Sequence, residues 1–367
     1  MNQYLAEVSH KLTIVRQMLE ENELQGLRLR GTDWFAWITA GASNSVLLTA
    51  ETGIAEVLVT PQDAWVLTDE IEAQRLIDEE LPANFKLFVY PWAAVASRES
   101  FVRDATHGGK ICSERPIFPL ESQLPRSLYY HKLRFLSSEL ERYRQVCRKA
   151  SEAMTEVLQA AQPTWTEYQL AGAGAEALWK RGLHPALTLV AGERRLPLYR
   201  HATPTEEAIG REAMLVFCAR GFGLYANLTR FVSFDSLGTK DEQVARHRQV
   251  AEIEAQALNL CQSETSLNTI YHALALAYEQ QGFPNAIREH HQGGITGYLA
   301  REIVATPTTT EILQPNMAVA WNPSLPGAKI EDTFVLLEDG NLENLTFDAN
   351  FPSVEINGRL RPIPLIR

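Results

Sequence analysis

Apolar residues recur at helical spacing near the start of the chain. Leu5, Val8, Leu12, Val15, Met18 and Leu19 form one stripe, which predicts an amphipathic helix over 4–24. Short apolar runs follow at 27–29, 34–39, 46–49, 57–60 and 65–67, each bounded by Gly, Pro, Asp or Asn, and these read as strands. Residues 69–78 read as helix and 85–90 as a further strand. The segment 105–135 holds Gly108-Gly109, Pro116, Pro119 and Pro125 and reads as a boundary, which sets a first α/β domain at 1–133.

From residue 137 the rhythm changes. Ser137-Ser138-Glu139 resembles a capped start and opens a helical stretch to about Ala161. Pro163-Thr164 opens a second helix, 165–181, ended by Gly182, and strands are expected at 186–190, 213–218 and 224–234. The same order then returns: helix 241–262, helix 266–281, Gly282, and strands at 318–321 and 333–337. The turns Gly182-Leu183-His184-Pro185 and Gly282-Phe283-Pro284 lie 100 residues apart. The pattern predicts an internally duplicated α+β domain over 137–367 with antiparallel strands. Its tail, 354–360, reads as a hairpin turning at Asn357-Gly358.

Composition narrows the function classes. With 367 residues and 45% hydrophobic content the chain can bury two cores without a disulfide or metal staple. The net charge is -11 and no basic tract is present, a poor match to a phosphate backbone. No apolar run approaches the ~20 residues of a membrane span, and residues 1–11 lack the pattern of a secretory signal. Cys112, Cys147, Cys218 and Cys261 show no zinc-knuckle spacing. The expectation is a soluble cytoplasmic protein with a small-molecule substrate and neither a nucleic-acid nor a membrane partner. The acids are unevenly placed: no Asp occurs between Asp104 and Asp235, although a stretch of that length would ordinarily carry several.

Reactive side chains gather in four windows of the second half. They are Tyr199-Arg200-His201; Cys218 to Arg230, ending Asn227-Leu228-Thr229-Arg230; His290-His291-Gln292-Gly293-Gly294 with Thr296, Tyr298 and Arg301; and Asn322-Pro323 followed by Lys329-Ile330-Glu331-Asp332-Thr333.

The order and spacing of these windows resemble the pita-bread family of creatinases, prolidases and Xaa-Pro aminopeptidases, the M24 peptidases, from about Ser137 to Thr346. The first 133 residues resemble that family's creatinase-type N-terminal domain, notably over 34–41. The metallopeptidases among them bind two divalent ions through two Asp, one His and two Glu, because two dications need hard, charged oxygen ligands. Carried over position by position, the resemblance implies a depleted set. The second Asp is Asn227, its partner falls at Cys218 or Val216, the His is Gly294 and one Glu is Asn322; only Glu331 remains. The resemblance thus implies a cavity with no metal and no cofactor. One alternative stays open, a single soft metal on Cys218 and a histidine.

What remains can still do chemistry, because an imidazole is a competent general base near neutral pH. By resemblance to metal-independent creatinases, His201 is the expected acid/base, with His290 and His291 polarising the scissile group or shuttling the proton. Glu331 would hold a cationic nitrogen, Arg301 or Arg200 a carboxylate. Asn227, Asn322 and Tyr298 would line the substrate site. The expected activity is metal-independent hydrolysis of a C–N bond in a small carboxylate-bearing amidino or amido compound, in a homodimer. Two alternatives are an Xaa-Pro aminopeptidase or prolidase-like metallopeptidase, and an inactive relative that binds peptide or protein. Cys218, in an apolar run, reads as a small buried hydrophobe, and Arg230 as a brace for its hairpin.

Overall fold

The computed structural model describes residues 2–234 and 241–367. The chain forms two compact units, Met1–Leu140 and Glu141–Arg367.

In the first unit the helix Asn2–Glu21 turns Val8, Leu12, Val15, Met18 and Leu19 inward, following the stripe in the sequence. A six-stranded mixed sheet runs in the order Lys86–Tyr90, Ala64–Asp69, Thr52–Val59, Gly26–Gly31, Ile111–Ser113, Glu121–Gln123. Gly26–Gly31 lies near its middle and is buried along its whole length. It nevertheless carries Arg28, neutralised by Glu56 at 2.6 Å and Glu99 at 2.7 Å.

Two expectations fail here. Residues 34–39 are not a strand, because Thr32–Ile38 is a helix. Every residue of that helix is buried, so no polar face breaks the apolar run, and such a run reads equally as strand. Residues 46–49 form turns rather than a strand. The Gly- and Pro-rich segment is itself structured: it supplies Ile111–Ser113 and Glu121–Gln123 to the sheet and then the helix Arg126–Leu133, and the first unit closes at Leu140. Three-residue strands are too short to show alternation.

The second unit opens with the helices Ser137–Ala160 and Glu167–Trp179, the latter held at its start by a reciprocal Thr166–Gln169 capping box. The antiparallel strands His184–Gly192, Glu212–Gly221 and Leu224–Ser233 follow. Helices Asp241–Asn259 and Leu267–Gln280 then precede the strands Gly293–Thr296, Ala318–Trp321 and Asp332–Leu336, also antiparallel.

The repetition reaches individual hydrogen bonds. The Glu167 N–H donates to Glu207 O and the Leu267 N–H to Glu311 O, both at 2.9 Å. Each second helix ends on a glycine at positive φ, Gly182 at +71° and Gly282 at +86°. The two strand sets meet at a bridge between Thr229 and Glu331, and Asn227 N–H donates to Thr333 Oγ1 at 2.9 Å.

Behind this seam lies a buried charge network. Asp332 pairs with Arg230 at 2.7 Å and Arg361 at 2.8 Å, and Arg361 pairs with Glu254 at 2.7 Å. Two cations meet two anions there, so Arg230 is a brace. Burial pushes the Glu254 carboxyl up to about 7, whereas the two guanidiniums beside Asp332 outweigh its burial and hold it below the usual carboxylate range. Arg361 comes from the terminal hairpin, Ser353–Ile356 with Arg359–Pro362, which turns at Asn357-Gly358 as expected. Among the described residues no helix is long and apolar enough to cross a membrane.

Candidate active site

The seam between the two strand sets carries the reactive side chains. In the Glu212–Gly221/Leu224–Ser233 pair, Cys218 stands directly across from Asn227 and Val216 across from Thr229. Directly opposed residues of an antiparallel pair share a face, so Cys218 is the side chain beside Asn227. The Asn227 amide donates to Thr296 Oγ1 at 2.9 Å on the opposite strand set. Thr229 Oγ1 donates to Glu331 Oε2 at 3.1 Å, and the other carboxylate oxygen accepts from Arg301 Nη2 at 2.5 Å.

Three histidines from two loops converge on this point. The His201 ring lies 5.9 Å from the rings of both His290 and His291, which lie 6.3 Å apart. His201 and His291 are exposed at the rim, and His290 is more sheltered. Burial, reinforced by the charge of Lys329, brings His290 down to about 3. Burial and Arg301 bring His291 down to about 4, and burial with Lys329 and Arg301 lowers His201 against the pull of Glu331. All three imidazoles are therefore neutral at neutral pH, the form that accepts a proton.

Lys329 is 6% exposed, and its ammonium makes no hydrogen bond or ion pair among the described residues. Burial, with Arg301 and Arg200 nearby, lowers its pKa, while Glu331 opposes the shift. Sequence reading placed Lys329 in a reactive window without giving it a role. The available signal was strand alternation, which puts it on the same side as Glu331 two residues on.

Other expected residues are committed to protein partners. Arg301 and Glu331, proposed as separate anchors for opposite substrate charges, bind each other. Arg200 is held by Glu289, with contacts of 2.7 and 2.5 Å. Tyr298 is fully buried. Asn227 and Asn322 are buried, and neither Oδ1 finds a partner among the described residues. Cys218 belongs to the site rather than to an inert core, since Glu331, Arg301 and Lys329 all act on its thiol. Burial nonetheless pushes it up to about 12, so it stays protonated.

These residues do not fit a pair of divalent cations. The one carboxylate, Glu331, already serves Arg301 and Thr229, and Lys329 and Arg301 bring positive charge where cations would need anions. The glycine at the ligand-histidine position is structurally locked. Gly294 has φ +150°, and a Cβ there would stand 2.1 Å from the Ile303 carbonyl oxygen. A single soft metal on Cys218 and His290 would have to displace a hydrogen bond, since both His290 ring nitrogens are hydrogen-bonded. Among the described residues no group of three or more His, Cys, Asp or Glu is placed to hold a metal.

The sequence profile of metallopeptidase family M24 matches residues 141–338. No curated protein matches. Solved structures match over nearly the whole chain. The Xaa-Pro dipeptidase from Bacillus anthracis superposes with a TM-score of 0.78 at 16% identity, covering 98% of this chain and 100% of that one. The X-Pro aminopeptidase from Thermotoga maritima MSB8 gives 0.78 at 17%, covering 97% and 99%. The N-terminal domain of FACT complex subunit SPT16 from chickpea (Cicer arietinum) gives 0.71 at 12%, covering 94% and 96%. At such identities these likenesses establish the fold, and the profile match over more than half the chain establishes descent. The chain belongs to metallopeptidase family M24 and has the two-domain α+β fold of prolidases, an N-terminal α/β domain followed by a pita-bread domain.

Proposed function

We propose that this chain is a metal-independent hydrolase that cleaves a C–N bond in a small substrate bearing an anionic group. The observation that carries the reading is one cluster: three neutral imidazoles and the uncommitted Lys329 ammonium, gathered beside metal-ligand positions that hold Asn227, Gly294 and Asn322 in place of ligands. Without a metal to acidify water, a neutral imidazole is the group that can remove its proton at neutral pH. His201, at the open rim, is the base in this reading, and it returns the proton to the leaving nitrogen. Lys329 is the uncommitted cation and takes the anionic group of the substrate. Arg301 and Glu331 form a fixed pair that orients the substrate.

The test is hydrolysis of a panel of amido and amidino acids by chelator-treated protein, alongside His201→Ala. A loss of at least about a hundredfold in kcat with unchanged circular dichroism is expected. Unchanged turnover in His201→Ala removes its role. Activity found only after divalent metal is added makes the chain a metallopeptidase, and binding of peptides without any turnover makes it a binding module.

A further inference from the structure

His290 does more than complete a cluster. Its Nδ1 lies 2.5 Å from the backbone carbonyl oxygen of His291, and its Nε2 lies 2.7 Å from Ser324 Oγ. A carbonyl oxygen only accepts, so the proton of the neutral ring sits on Nδ1. The lone pair is then on Nε2, and the hydroxyl hydrogen of Ser324 must point at it. A hydroxyl donating to an imidazole whose other nitrogen is fixed by an acceptor is the arrangement that activates serine for attack, with a backbone carbonyl in the orienting role.

We propose that Ser324 is a nucleophile activated by His290, and that the C–N bond is broken through an ester on Ser324.

The surroundings hold this pair in place. Tyr278 Oη accepts the Ser324 backbone N–H at 2.8 Å and donates to Gln292 Oε1 at 2.9 Å. Gln292 Nε2 in turn donates to the His290 carbonyl oxygen at 2.9 Å. Nucleophile and base are thus tied to one buried relay, since Tyr278 and Gln292 are both fully buried. Both are positioning residues, fixing the distance the proton must travel. The cation needed for developing negative charge is also present. Lys329 pairs with Ser324 in the register of the short hairpin Ser324–Leu325/Ala328–Lys329, and the two line one small cavity with Tyr199, Met214 and Phe231. Its ammonium has no other acceptor among the described residues, so it is available to an oxyanion.

The proposal rests on the hydrolase reading and adds a covalent route, in which His290 serves Ser324 and the leaving nitrogen while His201 activates the water. Ser324 Oγ bonds to the acyl or amidino carbon as its proton passes to His290 Nε2, and negative charge collects beside Lys329. The C–N bond then breaks and the leaving nitrogen takes the proton from His290. Water, deprotonated by His201, attacks the ester carbon; the bond to Ser324 Oγ breaks and that oxygen takes up the proton.

A fluorophosphonate probe tests the nucleophile without a known substrate, because its phosphorus bonds to an activated serine oxygen and fluoride leaves. Intact mass and peptide mapping of the full chain are expected to show one label, on Ser324. Ser324→Ala should abolish it, and His290→Gln should slow it at least about a hundredfold. Ser324→Cys, a near-isosteric check on folding, should lose the phosphonate label and become sensitive to iodoacetamide at neutral pH. No label on the wild type, or a label that survives Ser324→Ala, overturns the nucleophile. Hydrolysis that persists in Ser324→Ala also overturns it, while leaving His201-driven hydrolysis standing. Labelling of Ser324 in a protein that hydrolyses no C–N substrate supports the nucleophile and overturns the substrate class instead.

Discussion

A nearly buried lysine with no ion-pair partner is costly to fold around, so Lys329→Met should raise stability as it removes function. Lys329 is 6% exposed, and no carboxylate among the described residues lies within ion-pair distance of it. Arg301 and Arg200 add like charge, and only Glu331, already bound to Arg301, offsets them. Replacing a poorly compensated buried charge with an apolar side chain of similar length stabilises by about 1–4 kcal/mol. The attraction of Glu331 places this site near the middle, at about 2 kcal/mol. For a domain of this size that shift corresponds to roughly 4–8 °C in Tm. Thermal unfolding followed by circular dichroism measures it, with fluorophosphonate labelling and turnover read on the same preparations. The expected result is a higher Tm with slower labelling and lower kcat. A Tm lowered by the equivalent of about 1 kcal/mol or more would show that Lys329 supports the structure, and the case for it as the substrate-facing cation would fail.

Three further outcomes follow from the geometry. Arg361→Met strands buried Glu254 and leaves Asp332 with Arg230 alone, and should destabilise by about 3–5 kcal/mol in denaturant titration, with partial recovery when Glu254→Gln is added. Gly294→Ala forces a Cβ to within 2.1 Å of the Ile303 carbonyl oxygen and should lose at least about 2 kcal/mol, so that restoring the missing ligand histidine damages the fold before any metal can bind. Acidification should weaken the protein partly through His290. Its folded pKa of about 3 lies below the unfolded value of about 6.5, so its contribution is whole above pH ~6.5 and declines as pH falls toward 3. About 2 kcal/mol of it is gone by pH 5. His290→Gln should lose correspondingly less stability between pH 7.5 and pH 5, and an equal loss in both proteins refutes the assignment.

The second unit was legible because its elements are long and their punctuation is strong. Gly182 and Gly282 end equivalent helices at positive φ, and their spacing of 100 residues exposed the repeat before any coordinates. The first unit was less so. The Thr32–Ile38 helix is buried on all sides and carries no period, and the strands Ile111–Ser113 and Glu121–Gln123 are three residues each in a segment rich in Gly and Pro. At the site, residue types at motif positions pointed to the histidines and to the missing ligands. They did not show which charges were already spent: Glu331 on Arg301, Arg200 on Glu289. Nor did they bring Ser324 to His290, since that contact depends on how Gln292 and Tyr278 set two backbones. The alternative between Cys218 and Val216 was equally a matter of register, which places Cys218 across from Asn227.

The central claim is that this M24 domain works through imidazole and hydroxyl groups in place of a pair of metal ions. It is tested most directly by measuring the metal content of protein purified without chelator and its C–N hydrolysis in the same sample, with and without added Mn²⁺, Co²⁺ or Zn²⁺. Far less than one bound ion per chain is expected, with turnover indifferent to chelator and to added metal and lost in His201→Ala. Two ions per chain, with activity that disappears on chelation and returns with metal, would contradict it.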